Sequence, residues 1–416
     1  MTAPAYSQIF RVFGRIGLLS FGGPAAQISL MHDELVQKRG WLTEEQFLGA
    51  LSFCMLLPGP EAMQLATYAG WRLRGVPGGL IAGLLFILPG AMVILVLAMA
   101  YAQHGDLPVV QSLFIGVKAA VIAIVLRALI SLSRKALTGW DAWALAGLGF
   151  VAMFFFNLPF PILIAAAALW GFFATPGRAV EAAPVHALPP PLQTLRTIAI
   201  WLALWAAPVV SVILLEAAFL RDIALFFSTL AVVTFGGAYA VLAYMTQAVV
   251  DTYGWLATAQ MIDALGLAET TPGPLILVTQ FVALLAGFEQ GGPKLALIAG
   301  GLALWVTFTP CFLWVFAGAP YVEALLARPR LRGALAAISA VVVGVILNLS
   351  AWFTLHVLFA QVSETGYGPR PALDSLIWLN AGLVALAVTL LIRMKWPVVP
   401  LLVVLAGLSA FSHAIG

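Results

Sequence analysis

Long apolar stretches, cut by short clusters of Gly, Pro and charge, run almost the whole length of the chain. About 20 apolar residues suffice to cross a bilayer as a helix. On that measure the pattern predicts spans at about 76–102, 107–133, 140–157, 159–174, 197–219, 293–318, 331–357, 374–392 and 396–413. One of them, GGLIAGLLFILPGAMVILVLAMAYA (78–102), has no charged residue. The interval 175–193, TPGRAVEAAPVHALPPPLQ, is rich in Pro and Ala and has no period, so it reads as a linker.

Residues 1–75 and 220–292 are apolar but repeatedly broken, and the breaks recur. SFGGPAAQISLM (20–31) returns as TFGGAYAVLAYM (234–245), an offset of 214 positions. The same offset carries Gly40-Trp41-Leu42 onto Gly254-Trp255-Leu256 and Pro58-Gly59-Pro60 onto Pro272-Gly273-Pro274. Without a gap, 15 of the 41 positions in 20–60 are identical to 234–274, enough to make the two halves repeats.

Composition agrees with membrane residence. The chain is 62% hydrophobic and 9% charged, against about 25% charged in a soluble domain. The net charge of +3 is scattered over loops, and no basic run suggests nucleic acid. The placement of Lys and Arg is more informative, because cytoplasmic loops collect them. In the first half Lys38/Arg39, Arg72/Arg74 and Arg134/Lys135 mark one side, with Arg178 and Arg196 of the linker, while the turn 103–108 has none. In the second half the turns near 251–254 and 356–369 have none, and the equivalent of 103–108 carries Arg328, Arg330 and Arg332. The bias has changed sides, with Lys294 the exception. This predicts halves inverted in the membrane, a cytoplasmic N-terminus and an external C-terminus.

If Arg11/Arg15 and Lys38/Arg39 share a side, 7–37 is not a single crossing. It reads as a helical hairpin broken at Phe21-Gly22-Gly23-Pro24, followed by a second hairpin (42–75) broken at Pro58-Gly59-Pro60. The repeat adds breaks at Phe235-Gly236-Gly237 and at Thr271-Pro272-Gly273-Pro274. Broken helices at membrane depth are tolerated where they face protein or a water-filled cavity. A Gly that lets the backbone turn, followed by Pro24, Pro60 or Pro274 at the start of a returning helix, would aim free N–H groups inward. Such helix N-termini attract anions. Beside the breaks lie Gln64, Thr67 and Gln280 as candidate donors, and Glu61 and Glu269 as candidate proton carriers or negative gates. Each could equally be a satisfied buried polar group.

Lys118 lies near the centre of the 107–133 span, where ionisable residues are rare and usually functional. Its repeat counterpart is Leu335. It would either neutralise a bound dianion or pair with Glu61. Arg127 sits nearer the basic end and reads as snorkelling. His32-Asp33-Glu34 reads as a solvated hairpin end rather than a metal site, because consecutive helical residues diverge. Cys54 and Cys311 read as small buried hydrophobes. HExxH, GxSxG and Gly-rich nucleotide loops do not occur, so neither metal, cofactor nor enzyme chemistry is expected.

The expected fold is an all-α polytopic membrane protein built from two inverted-topology repeats. Each repeat has two broken-helix hairpins and about four spanning helices. The divisions are 1–174 for the first repeat, 175–196 for the linker, 197–219 for a connecting transmembrane helix, and 220–416 for the second repeat. Inverted repeats around discontinuous helices are a common build of secondary transporters.

FGGP followed by RGWLTEEQFLGALSFCMLLPGPEAMQLATYAGW resembles the chromate ion transporter family. TFGGAYAVLAYM, YGWL and TPGPLILVTQFVALLAG resemble its second-half signature, so the likeness is to the long two-domain form. The resemblance implies efflux of chromate across the inner (plasma) membrane and chromate resistance, with sulfate as the chemically similar anion. It carries Phe21, Gly22, Gly23, Pro24, Pro58, Gly59, Pro60, Gln64 and Tyr68 as matching positions. In the second half Ala238 replaces Pro24, so the half-sites are not equivalent. The expected partners are chromate, sulfate as an alternative, and the lipid bilayer; the oligomeric state is left open, a homodimer being one option. A carrier for another oxyanion, an anion channel and a structural membrane protein are the alternatives.

Overall fold

The computed structural model describes residues 4–21, 23–176, 190–235, 238–322, 328–365 and 368–415, with backbone only at 238, 240, 364 and 413–415. Gly22, Gly236, Gly237 and linker residues 177–189 lie outside the described residues.

Among the described residues the protein is all-α apart from one short hairpin. The first half runs α1 (Tyr6–Leu19), α2 (Gly23–His32), a π-turn (Asp33–Gln37), α3 (Glu44–Cys54), α4 (Glu61–His104), α5 (Pro108–Ala136), α6 (Trp140–Phe156) and α7 (Phe160–Ala174). Next comes α8 (Pro191–Leu214). The second half runs α9 (Ala218–Val233), α10 (Ala238–Gln247), a π-turn (Ala248–Thr252), α11 (Thr258–Thr270), α12 (Val278–Gly318), α13 (Pro329–Leu358), α14 (Trp378–Val388) and α15 (Val398–Ile415). Helix α4, α5, α8, α13 and the stretch Leu275–Tyr321 that contains α12 are long and apolar enough to cross a membrane, and α6, α7, α14 and α15 add shorter apolar helices. The chain is a polytopic membrane protein. The span expected at 197–219 begins and ends several residues earlier, because Pro190 and Pro191 start α8 and Glu216 interrupts it.

Helices α4 and α12 fold back on themselves. Non-helical dihedrals at Arg74-Gly75 and at Gly291-Gly292 precede Pro77 and Pro293. After the first turn, Gly70 meets Gly78, and Thr67 meets Gly79 and Gly83. After the second, Gly287 meets Ala296, and Leu284 meets Gly300. A Cβ on Gly70 would stand 2.3 Å from the Gly78 carbonyl oxygen, so the antiparallel arms approach to a distance only glycine allows. The sequence boundary between hairpin and span at 75–76 is therefore a physical turn.

Local devices repeat at the same offset. Gln46 and Gln260 each accept, through Oε1, a bond from the backbone N–H three residues earlier, that of Thr43 and of Ala257. Trp41 and Trp255 donate their N–H to Leu35 and Val249, at 2.8 and 2.9 Å. The end of the first hairpin is additionally held by charge. Glu34, buried, accepts from Lys38 at 3.0 Å and from Arg39. Burial alone would raise the Glu34 pKa, but the hydrogen bonds from Lys38 and Arg39 outweigh it and hold this carboxyl below its ordinary range.

By compactness the chain forms two units. One comprises Met1–Met99, Thr175–Ala238 and Thr271–Arg332; the other comprises Ala100–Ala174, Tyr239–Thr270 and Gly333–Gly416. Each unit takes segments from both halves, so the units and the sequence repeats divide the chain differently. In the second unit α5 packs Ala119, Ala120, Ala123 and Ile124 against Leu383 and Ala387 of α14 and Leu401 and Leu405 of α15. That unit also carries a hairpin, β1 (Val362–Thr365) with β2 (Gly368–Pro371), pairing Val362 with Pro371 antiparallel. The sequence pattern did not predict it.

Candidate functional site

All four predicted breaks fall in the first unit. Helix α1 ends at Ser20 (φ −78°, ψ 64°) and α9 at Thr234 (φ −75°, ψ 85°). Phe21 N–H then bonds the Leu19 carbonyl at 2.9 Å, and Phe235 N–H bonds the Val233 carbonyl at 3.0 Å. Both breaks are thus inverse γ-turns. The other two breaks turn at Gly59 (φ 119°) and Gly273 (φ 89°), a region L side chains rarely enter.

The two kinds of break are joined across the halves. Gly59 N–H donates to the Thr234 carbonyl at 2.8 Å, and Gly273 N–H donates to the Ser20 carbonyl at 2.9 Å. Gly59 corresponds to Gly273, and Ser20 to Thr234. A contact made by i to j and repeated by the equivalents of j and i is the mark of a two-fold relation. Each Pro-Gly-Pro break is pinned to the break that opens the other half's hairpin.

The half-sites then differ in detail. Gln27 Nε2 donates to the Gly273 carbonyl at 2.7 Å and to the Ser20 carbonyl at 3.2 Å. Its counterpart is Val241, which can do neither. Gln64 Nε2 donates to the Pro58 carbonyl at 2.6 Å, Thr67 Oγ1 to the Met63 carbonyl at 3.0 Å, and Gln280 Nε2 to the Ala91 carbonyl at 3.2 Å. All are buried. These predicted donors are engaged with backbone here, leaving the Gln64 and Gln280 Oε1 atoms buried without hydrogen bonds. The Gln64 amide and the Cys311 thiol both crowd the α-carbon of Gly59, within 2.8 Å of where a Cβ would stand.

Pro60 and Pro274 immediately precede their helices, and Pro24 is the second residue of α2, so none opens a helix at its first position as expected. Pro60 has no N–H of its own, and Ala62 and Met63 lie in the first turn of α4, where backbone N–H groups have no partner within the helix. Residues 271–274 are buried, while Phe21, Gly23, Pro24, Pro58, Glu61 and Phe235 are at least partly accessible.

Lys118 and Glu269 belong to the second unit. Lys118 Nζ is 3.2 Å from Oδ1 of Asp263, and Tyr101 donates its hydroxyl to Oδ2 of Asp263 at 2.7 Å. Glu269 is buried near the end of α11, with the Tyr239 hydroxyl as hydrogen-bond partner and the Arg127 guanidinium as an attracting charge. Asp263, Tyr101, Tyr239 and Gln27 were not singled out in the sequence. The rule that selected Lys118, an ionisable residue inside an apolar segment, applies equally to Asp263. A cavity of about 430 Å³ in the same unit is lined by Asn157, Thr246, Gln247, Asp251, Asn348 and Trp352 among others, with no Lys or Arg. The Asp251 carboxylate makes it a poor seat for a dianion.

Comparison with known proteins gives a consistent picture. The family model described as "Chromate transporter" matches residues 7–172 and 221–411. A probable chromate transport protein of Synechococcus elongatus is 29% identical over 98% of this chain and 95% of its own length. Chromate transport proteins of Pseudomonas aeruginosa (32% identical, 82% of this chain, 79% of that protein) and Cupriavidus metallidurans (30%, 83% and 82%) are similar. No solved structure matches the chain.

Proposed function

The chain belongs to the chromate transporter family, and we propose that it exports chromate from the cytoplasm across the inner membrane, conferring chromate resistance. It is a transporter and not an enzyme. In this reading the oxyanion is held at the four hairpin tips by Phe21, Gly22, Gly23, Pro24, Pro58, Gly59, Pro60, Phe235, Gly236, Gly237 and Thr271–Pro274. The observation that supports it best is the reciprocal bonding of Gly59 to Thr234 and of Gly273 to Ser20, which joins each Pro-Gly-Pro break to the opening break of the other half. Helix N-termini supply partial positive charge without a desolvated cation.

Outward movement has a sufficient driving force. A dianion leaving an inside-negative cell gains about 4–5 kcal/mol per 100 mV, twice the single-charge value. The swapped Lys/Arg bias supports inverted repeats with a cytoplasmic N-terminus. Glu61 and Glu269 are the candidates for gating or proton coupling. Sulfate carriage is the second reading, favoured only by the equal charge and shape of the anion.

The test is uptake of labelled chromate into everted membrane vesicles, with sulfate as competitor. Saturable, potential-driven uptake that an empty vector lacks is expected. Conductance without saturation or counterflow would make the protein a channel. Reporters fused after Ala136 and after Pro371 should report opposite sides, cytoplasmic and external; the same side for both would end the inverted arrangement.

A further inference from the structure

The second unit contains a charged cluster that the tip site does not use. Asp263 is 5% exposed and sits in the middle of α11, the arm that runs into the Thr271–Pro274 break. It faces Lys118 of α5, at 3.2 Å, and Tyr101 of the last turn of α4, at 2.7 Å. Gly266, one turn further along α11, lies against Val117 so closely that a Cβ would be 2.5 Å from the valine methyl. Helix α11 therefore approaches α5 to glycine distance beside Lys118, and the carboxylate has no room to turn toward water.

The cluster is not part of the repeated scaffold. The counterpart of Asp263 is Gly49 and that of Lys118 is Leu335, so the equivalent pair of positions carries neither charge. Asp263 Oδ1 faces the Lys118 ammonium at 3.2 Å, and Oδ2 accepts from the Tyr101 hydroxyl. Lys118 keeps 22% of its side chain exposed, against 7% for Asp263.

Resting on the transporter reading above, we propose that Asp263 is a proton-binding group of the transport cycle, held by Lys118 and Tyr101. The carboxylate takes up a proton during the cycle; Lys118 stays an ammonium, and the cluster changes from neutral to singly positive. Any displacement of the short arm α11 that lengthens the 3.2 Å contact leaves a buried carboxylate, which takes up a proton rather than remain charged. The elements packed against α11 also carry Arg127, Arg134 and Lys135 on α5 and Asp251 on the π-turn, and α11 itself carries Glu269. Glu269 is six residues on, about 9 Å along the helix, and has its own partners in Tyr239 and Arg127.

The experiment reconstitutes the full chain as wild type, Asp263→Asn and Asp263→Glu, and reads two signals. One is proton movement accompanying a chromate gradient, followed with a pH dye inside the vesicles. The other is the infrared carboxyl band of the protein as pH is varied. Wild type should show a titrating carboxyl band that Asp263→Asn removes and Asp263→Glu shifts. Its chromate flux should vary with pH and move protons, whereas whatever flux remains in Asp263→Asn should be flat with pH. If Asp263→Asn does not fold, Lys118→Met/Asp263→Asn, which removes both charges, takes its place. A wild-type pH profile and proton movement in the Asn variant would overturn the proposal, as would the absence of any carboxyl band that the substitution removes. A titrating band in a wild type that moves no chromate would uphold the proton site and defeat the transport reading instead.

Discussion

The hairpin tips and the α5–α11 cluster place polarity inside a membrane protein in opposite ways. At the tips it comes from backbone: N–H groups of Gly59 and Gly273, carbonyls of Ser20 and Thr234, and glutamine amides bonded to main chain. The repeat duplicates the glycine-to-carbonyl bonds but not the glutamines. At α5–α11 it comes from side chains of full charge, Lys118 and Asp263 with a Tyr101 hydroxyl, and the repeat supplies no second copy. A backbone site needs no ion to be desolvated and tolerates little change in shape. A charged pair tolerates changes in shape and little change in charge. Removing both of its members is milder than removing one.

The comparison breaks first at the glycines. Gly59→Val and Gly273→Val should each abolish chromate resistance. Both positions have positive φ, which costs a side-chain-bearing residue about 1–2 kcal/mol. A Cβ at Gly59 would also stand 2.8 Å from the Cys311 sulfur. Gly14→Ala and Gly301→Ala, where a Cβ meets nothing within 4 Å, are the controls and should leave resistance intact. Resistance counted on chromate plates, with membrane abundance by immunoblot, checks this. Normal resistance in both Val variants would remove the tips from the site.

The charged cluster should respond to charge rather than bulk. Lys118→Met strands a carboxylate that is 5% exposed, and breaking a buried pair costs about 3–5 kcal/mol. Membrane abundance should fall several-fold. Asp263→Asn should fall less, because Lys118 is less buried than the carboxylate it pairs with. The double variant Lys118→Met/Asp263→Asn should recover abundance above Lys118→Met alone, a coupling that a double-mutant cycle measures. Equal abundance in all of them would make Lys118 a snorkelling residue.

These effects also mark how far sequence alone reaches. The spans and breaks were legible because apolar length and the Gly and Pro of FGGP, PGP, RGVP and GGP act on the chain locally. The offset of 214 announced that the tips are related, but not that Gly59 would bond Thr234 and Gly273 bond Ser20, since tertiary packing selects hydrogen-bond partners. Gln64, Thr67 and Gln280 lie beside the breaks by sequence alone; which of their atoms are engaged depends on carbonyls such as that of Ala91, remote in sequence. Lys118 was legible as a misplaced charge while its partner was not, because Asp263 lies in a segment dominated by its breaks. The β1–β2 hairpin had no signal, because its four-residue strands, VSET and GPRP, are too short and too poor in apolar residues to show a period of two.

A gentler substitution sharpens the asymmetry within the tips. Gln27→Val copies Val241 of the other half, and it removes two bonds onto the Gly273 and Ser20 carbonyls. Those carbonyls are buried, and Ser20 still accepts from Gly273, so the loss should be about 1–3 kcal/mol. Thermal stability in detergent should fall with chromate affinity reduced and not abolished. A fully inactive, normally folded Gln27→Val would mean that the amide contacts the anion itself.

The smallest expected effect is at the end of the first hairpin, away from both regions, and it has a definite sign. Glu34 is held below the ordinary carboxyl range: burial pushes its pKa up, and the hydrogen bonds from Lys38 and Arg39 more than reverse the push. A carboxyl depressed in the fold stabilises it fully above its unfolded pKa, near 4.3. That contribution is lost as the pH falls from there through the lower folded value. Glu34→Gln should therefore cost about 1–2 kcal/mol at neutral pH, and the variant should lose less further stability than wild type on acidification below pH ~4. Melting temperatures of the two proteins in detergent, measured at neutral pH and below pH ~4, give the comparison. Curves that stay parallel through the acid range would show that the Glu34 cluster does not hold the turn through its charge. Chromate flux at neutral pH should be unaffected in either case, because the turn closes the hairpin at the end opposite its tip.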